Sequence, residues 1–144
     1  MQKKINFIDL GKHPITNNFL GLSNPKNEFF YNLKLIFHSE TKLVSLAKFV
    51  SPKKMFNEKY AHRASASKTM QLAYSKLAKL IKKKYKPKSI LEIGSNDGVF
   101  IKHFKDINNL GVEPCKNLAR ITKKMGIKTY DDFWTYKLSE KIIK

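Results

Sequence analysis

The sequence predicts an α/β fold, and three observations predict it. An apolar run, Ser89–Ile93, leads into a glycine-bearing turn, Glu92-Ile-Gly94-Ser-Asn96-Asp-Gly98. Two further short apolar runs, Leu110–Val112 and Ile127–Tyr130, follow with helix-periodic stretches between them. Upstream, residues 29–50 alternate apolar and polar positions, as a hairpin does. Strand and helix in strict alternation with short connections specify a parallel sheet.

Taken in order, Ile5–Gly11 reads as a short strand, followed by a loop over 12–21 rich in the turn formers Pro14, Asn17, Asn18 and Gly21. Tyr31, Leu33, Leu35 and Phe37 mark one hairpin strand, Ser39–Thr41 the turn, and Leu43–Val50 the second strand, which Pro52 stops. Residues 51–67 read as one helical turn and an irregular small-residue segment. Residues 68–84 give the strongest helix, with Ser67 as N-cap and Met70, Ala73, Tyr74, Leu77, Leu80 and Ile81 as its core face; the lysines at 76, 79, 82, 83 and 84 fall on the solvent side. A helix over Val99–Asp106, another over Asn117–Met125 ended by Gly126, and a last helix running from about Tyr136 to Lys144 separate and follow the strands. The expected architecture is a partial Rossmann-like parallel sheet (βαβαβ) preceded by a small N-terminal β-hairpin region and a linking helix, with domains at 1–64 and 65–144.

Composition narrows the function classes. Among the 144 residues, 42% hydrophobic content with ten phenylalanines and six tyrosines supports a core. No apolar run reaches the roughly 20 residues of a membrane span, and the N-terminus does not read as a signal peptide, so a cytoplasmic location is expected. A single cysteine, Cys115, excludes an internal disulfide and a cysteine zinc site. The net charge of +18 invites a nucleic-acid reading, but 27 of the 29 basic residues are lysine; arginine is the preferred reader of bases, so nucleic acid is not the expected partner.

The turn carries the chemistry. Gly94 and Gly98 supply backbone freedom and close approach. The dinucleotide pattern G-x-G-x-x-G is not met, because Asn96 and Val99 occupy its second and third glycine positions. The spacing acid-x-Gly-x-Asn-x-Gly is instead that of a methyltransferase turn, which receives S-adenosylmethionine. The next strand ends in Gly111-Val-Glu113-Pro114; Glu113 lies 19 residues after Gly94, where a carboxylate accepts two ribose hydroxyls. The expected cofactor site is therefore Glu92, Gly94, Ser95, Asn96, Asp97, Gly98, Glu113 and Pro114.

The order Asp9-Leu-Gly, Pro14, Asn18-Phe, Met55-Phe, Tyr60, Ser65-Ala-Ser67, Leu91-Glu-Ile-Gly-Ser-Asn-Asp-Gly98, Gly111-Val-Glu-Pro114 and Gly126-Ile resembles the sugar C-methyltransferases along nearly the whole chain. The resemblance implies S-adenosylmethionine as cofactor, a nucleotide-linked deoxysugar as substrate, and direct methyl transfer to a sugar carbon. It places Tyr60 on the substrate side, as the candidate catalytic residue, with His62 and His103 as weaker candidates. It also implies paired zinc-binding cysteines before Ile5 and near His38–Lys42; neither pair is present, so no metal is expected, with His13 and His38 read as surface histidines and the hairpin held by apolar packing. His103 is expected to face solvent, and Cys115 to be a bystander thiol. The family's sheet has seven strands, so the sequence reads as truncated after the third. An unpaired strand edge and a second chain completing the fold are then expected. A non-catalytic remnant that keeps the cofactor half, and a basic nucleic-acid-binding domain, are the alternatives.

Overall fold

A computed structural model describes residues 4–21 and 28–143. The chain forms two compact units, Met1–Met55 and Phe56–Lys144. The segment 56–64, which sequence pattern groups with the N-terminal region, belongs to the second unit.

The first unit is a three-stranded antiparallel sheet, β1 (Lys4–Pro14), β2 (Phe30–His38) and β3 (Val44–Leu46), in that order. Strand β1 is longer than its apolar pattern suggests and runs through the expected loop as far as Pro14. The reason is two register shifts against β2, between Asn6 and Ile8 and between Asp9 and Lys12. Bulges of this kind scramble the period-two alternation that identifies a strand. The Asp9 side chain braces the second one, accepting the Gly11 N–H at 2.9 Å and the Asn32 amide at 3.4 Å. Those donors hold the Asp9 carboxyl below the usual carboxylate range. The second hairpin strand is shorter than expected, three residues in place of eight. Ile15 is this unit's one buried apolar side chain among the described residues; Leu33, Leu35 and Phe37 are half-buried, and Phe7, Phe30 and Phe49 are exposed. The backbone ladder and a cross-strand bond between His38 Nε2 and Ser45 Oγ (2.8 Å) join its strands.

The second unit is α/β, a partial Rossmann-like fold. After a single helical turn at Pro52–Met55 (α1, in the first unit) comes a 3-10 turn, Ala64–Ala66, then α2 (Lys68–Tyr85). Strands β4 (Ser89–Ile93), β5 (Asn108–Val112) and β6 (Thr129–Tyr130) pair in parallel in that order. Helices α3 (Lys116–Lys124) and α4 (Tyr136–Ile143) connect and follow them; Lys144 lies outside the described residues. Ser67 caps α2 by accepting the Met70 N–H, as its sequence position requires.

Two details differ from the sequence pattern. The connection after β4 is a four-residue 3-10 helix, Ile101–Phe104, in place of an α-helix over Val99–Asp106. Ile101 and Phe104 are fully buried at i, i+3 spacing, which a three-residue turn aligns on one side. The α2 face is also rotated. Tyr74, Ala78 and Ile81 pack inward, while Met70, Leu77 and Leu80 stay exposed. Two anchors set this rotation: the Tyr74 ring lies 5.4 Å from Phe100, and Lys82, expected on the solvent side, pairs with Asp106 at 2.6 Å. Buried Val99, Ile101, Phe104, Val112, Leu118, Ala119 and Ile127 form the core between the sheet and α3.

Candidate functional site

The site is built on the turn that follows β4. The amides of Gly94 and Ser95 both donate to Val112 O, at 2.8 and 3.1 Å, so the turn hangs from the end of β5. Three of its five residues have positive φ: Gly94 (75°), Asn96 (49°) and Gly98 (77°). Glycine takes that region freely, and asparagine more readily than other side chains. A Cβ at Gly98 would meet Thr122 at 3.0 Å, so α3 leaves no room there. A Cβ at Gly94 would meet nothing within 4 Å. That backbone faces open space.

Glu113 holds the turn from the end of β5. Its Oε2 accepts the Asn96 N–H and its Oε1 the Cys115 N–H, each at 2.8 Å, and it is 4% exposed. Each carboxylate oxygen retains a second acceptor position. Thr122 adds a bond from its hydroxyl to Asn96 O at 3.2 Å. Glu92, one pleat before the turn, accepts the Ile101 N–H through one oxygen and leaves Oε2 buried without a partner. Burial, reinforced by the nearby Glu113 charge, pushes its carboxyl up to about 7.

The structure thus brings Glu92, Gly94, Ser95, Asn96, Asp97, Gly98 and Glu113 together, with Pro114 half-buried directly after Glu113. Their polar atoms are incompletely satisfied: Glu92 Oε2, Ser95 Oγ and Asp97 Oδ1 are buried with no partner among the described residues, as is Asn117 Oδ1 on the first turn of α3. Glu92, Asp97 and Glu113 make no ion pair among the described residues, in contrast to Asp106, paired with Lys82, and Asp131, paired with Lys123. Three buried or half-buried carboxylates without a lysine, in a chain of net charge +18, are the site's main electrostatic feature.

Tyr60 is tied to the start of α3. Its carbonyl accepts the Asn117 side-chain amide at 2.8 Å, and its ring stands 5.5 Å from Phe56 and 6.4 Å, edge-on, from His62. His62 O accepts the Asn96 side-chain amide at 3.3 Å. His103 is not part of this group. It does not face solvent as expected: its Nε2 is buried and unpartnered, and desolvation with the charges of Lys102, Lys82 and Lys79 lowers its basicity. Cys115 is buried, and desolvation beside Glu113 pushes its thiol up to about 12, too high for a nucleophile. Its contribution is its backbone N–H. Ser65, Asn117 and Thr122 carry hydrogen bonds that sequence pattern does not announce, because each joins residues more than 25 positions apart.

Within 1–56 there is no cysteine, and the two histidines there are engaged, His13 Nε2 donating to Leu10 O at 2.9 Å and His38 Nε2 bonding Ser45. Among the described residues no group of three or more His, Cys, Asp or Glu side chains is placed to hold a metal. No described helix is long and apolar enough to cross a membrane.

Residues 1–56 match a methyltransferase-associated family model described as a "Putative zinc binding domain". The matched segment ends before the glycine turn. No curated protein matches the chain.

Proposed function

We propose that the chain binds S-adenosylmethionine on the Gly94–Gly98 turn and belongs to a methyltransferase that acts on a carbon of a nucleotide-linked sugar. One observation carries the cofactor reading. Buried or half-buried carboxylates at Glu92, Asp97 and Glu113 lack a cation of the protein's own, at a turn whose backbone faces open space. Unpaired buried carboxylates are costly, and a cationic, hydroxyl-bearing ligand relieves them. S-adenosylmethionine carries a sulfonium, an ammonium and two ribose hydroxyls, and when bound it supplies an electrophilic methyl group. Glu113 is the residue to take the ribose hydroxyls through its free acceptor positions, and Gly94 leaves room for the ligand. The match of residues 1–56 to a methyltransferase-associated domain is independent support for the reaction class.

The sugar substrate rests on the sequence resemblance. Methylation of a carbon beside a keto group needs a proton removed there and the resulting enolate oxygen stabilised. Tyr60 is the candidate to hydrogen-bond that oxygen, and its carbonyl is held by Asn117 at the start of α3.

Calorimetric titration of the purified chain tests the cofactor. Saturable binding of S-adenosylmethionine is expected, and Gly94→Val abolishes it, because a branched side chain is strained at φ 75° and fills the open space. Absence of binding by the wild type up to about 1 mM, a ligand free energy of only about −4 kcal/mol, overturns the reading.

We further infer that this protein does not need zinc, despite the description of the family model matched by its first unit. Excess EDTA is expected to leave its thermal melt unchanged, whereas a structural zinc contributes folding energy outright. A fall in Tm on chelation, reversed by zinc, refutes this.

A further inference from the structure

The segment from Tyr60 to Ser65 has little regular structure of its own, yet side chains from three other elements pair its backbone. Asn117 donates to Tyr60 O (2.8 Å). Asn96 donates to His62 O (3.3 Å) and accepts the Ala64 N–H (2.9 Å), reading both sides of that stretch. Asp97 Oδ2 accepts the Ser65 N–H (3.3 Å) and the Ser65 hydroxyl. Gln71 on α2 donates to Ser65 O (2.6 Å). Irregular backbone must find hydrogen-bond partners somewhere, and here most come from the turn and the start of α3.

From this geometry we infer that Asn96, Asp97 and Asn117 are positioning residues. They hold residues 60–65 as a strap against the glycine turn, so that the rings of Tyr60 and His62 are set by the turn that receives the cofactor. The side chain of Asn96 is engaged at both ends, and Asp97 Oδ2 twice, in contacts within the chain. Their spacing alone suggests direct cofactor contacts; the bonds assign the Asn96 side chain and Asp97 Oδ2 to the strap and leave Asp97 Oδ1 without a partner. That the two rings face a substrate rests on the methyltransferase reading; the strap itself does not.

Amide exchange followed by NMR tests it, with Asn96→Gly as the main variant, since glycine accepts the φ of 49° at that position. The Ala64 and Ser65 amides are expected to exchange at least about tenfold faster, while the Ala119 amide, bonded to Cys115 O within α3, keeps its wild-type rate. The ring resonances of Tyr60 and His62 move toward their free values. Asn96→Asp keeps the acceptor for Ala64 and loses the donor to His62, so it restores protection at Ala64 and leaves the rings displaced. Unchanged exchange at Ala64 with unmoved rings in Asn96→Gly overturns the strap. Should Asn96→Gly also loosen Ala119, Ser65→Ala decides, because it leaves the turn intact. Faster exchange at residue 65 supports the strap, and an unchanged rate overturns it. If the wild type binds no S-adenosylmethionine while Asn96→Gly frees the two amides, the cofactor reading fails and the strap stands.

Discussion

Replacing Glu113 with alanine is expected to destabilise the protein by about 3–5 kcal/mol and to abolish cofactor binding. The buried carboxylate accepts two backbone amides, Asn96 N–H and Cys115 N–H, each at 2.8 Å. Charge-assisted bonds of this kind contribute about 1.5–3 kcal/mol, and a buried amide left without a partner costs about 1–3 kcal/mol. Both amides lose their partner in the alanine variant. One of them belongs to Asn96, whose left-handed backbone is held by that bond and by Thr122. The turn is therefore the first place to relax, and the cofactor affinity goes with it. A partial offset exists: Glu113 is one of the groups that raise the Glu92 carboxyl, so its removal returns Glu92 toward its ordinary behaviour. Glu113→Gln separates the contributions. One side-chain oxygen remains for one amide, so the loss is expected to be about half as large. Urea unfolding measures both variants, with the midpoint falling at an unchanged m-value. An alanine variant within about 1 kcal/mol of the wild type shows that solvent satisfies the two amides and that Glu113 does not hold the turn.

What could be read from sequence follows the range of the interactions. Strand β4 has the expected bounds because its apolar run is flanked by Pro87 and Gly94, both local signals. Ser67 caps α2 as expected because a cap needs only the next three residues. The buried face of α2 was not readable from its periodicity. Its apolar arc extends from Leu80 round to Ile81, and only distant partners, Phe100 and Asp106, decide which flank is covered. The 3-10 helix was hidden for a similar reason, since apolar residues three and four apart suit either helix. In the site, Glu113 was identifiable by its distance from Gly94, but its backbone partners were not. Asn96 and Asp97 stand in a recognisable turn pattern, yet their side chains bond residues 62–65, some thirty positions upstream. Zinc illustrates the converse. The overall pattern of residues 1–56 is enough to match a zinc-binding description, although the segment contains no cysteine.

The second large effect is a loss of stability on raising the pH, traced to Glu92. Its carboxyl is pushed from an ordinary 4.5 to about 7, chiefly by burial, against the Ile101 N–H that favours the ionised form and with the Glu113 charge adding to the rise. Between these values the folded protein holds a proton that the unfolded chain has released. The unfolded state therefore binds fewer protons, and stability falls as pH rises. The contribution is fully present below about 4.5 and gone above about 7. At 1.36 kcal/mol per unit the whole span is worth about 3 kcal/mol. Glu92→Gln removes the titration while keeping the shape. Relative to its difference from wild type at acid pH, the variant is expected to gain about 3 kcal/mol by pH 8 in denaturant titrations. A parallel pair of curves across that range refutes the shift. The same group links the site to its ligand. A bound cation favours the ionised carboxylate, so S-adenosylmethionine binding near neutral pH is expected to release protons and to tighten as pH rises toward 7. Calorimetry in buffers of different ionisation enthalpy reads that release directly. In Glu92→Gln it is expected to disappear, because the carboxyl that burial raises is gone. Proton release that persists in Glu92→Gln would place the titrating group elsewhere.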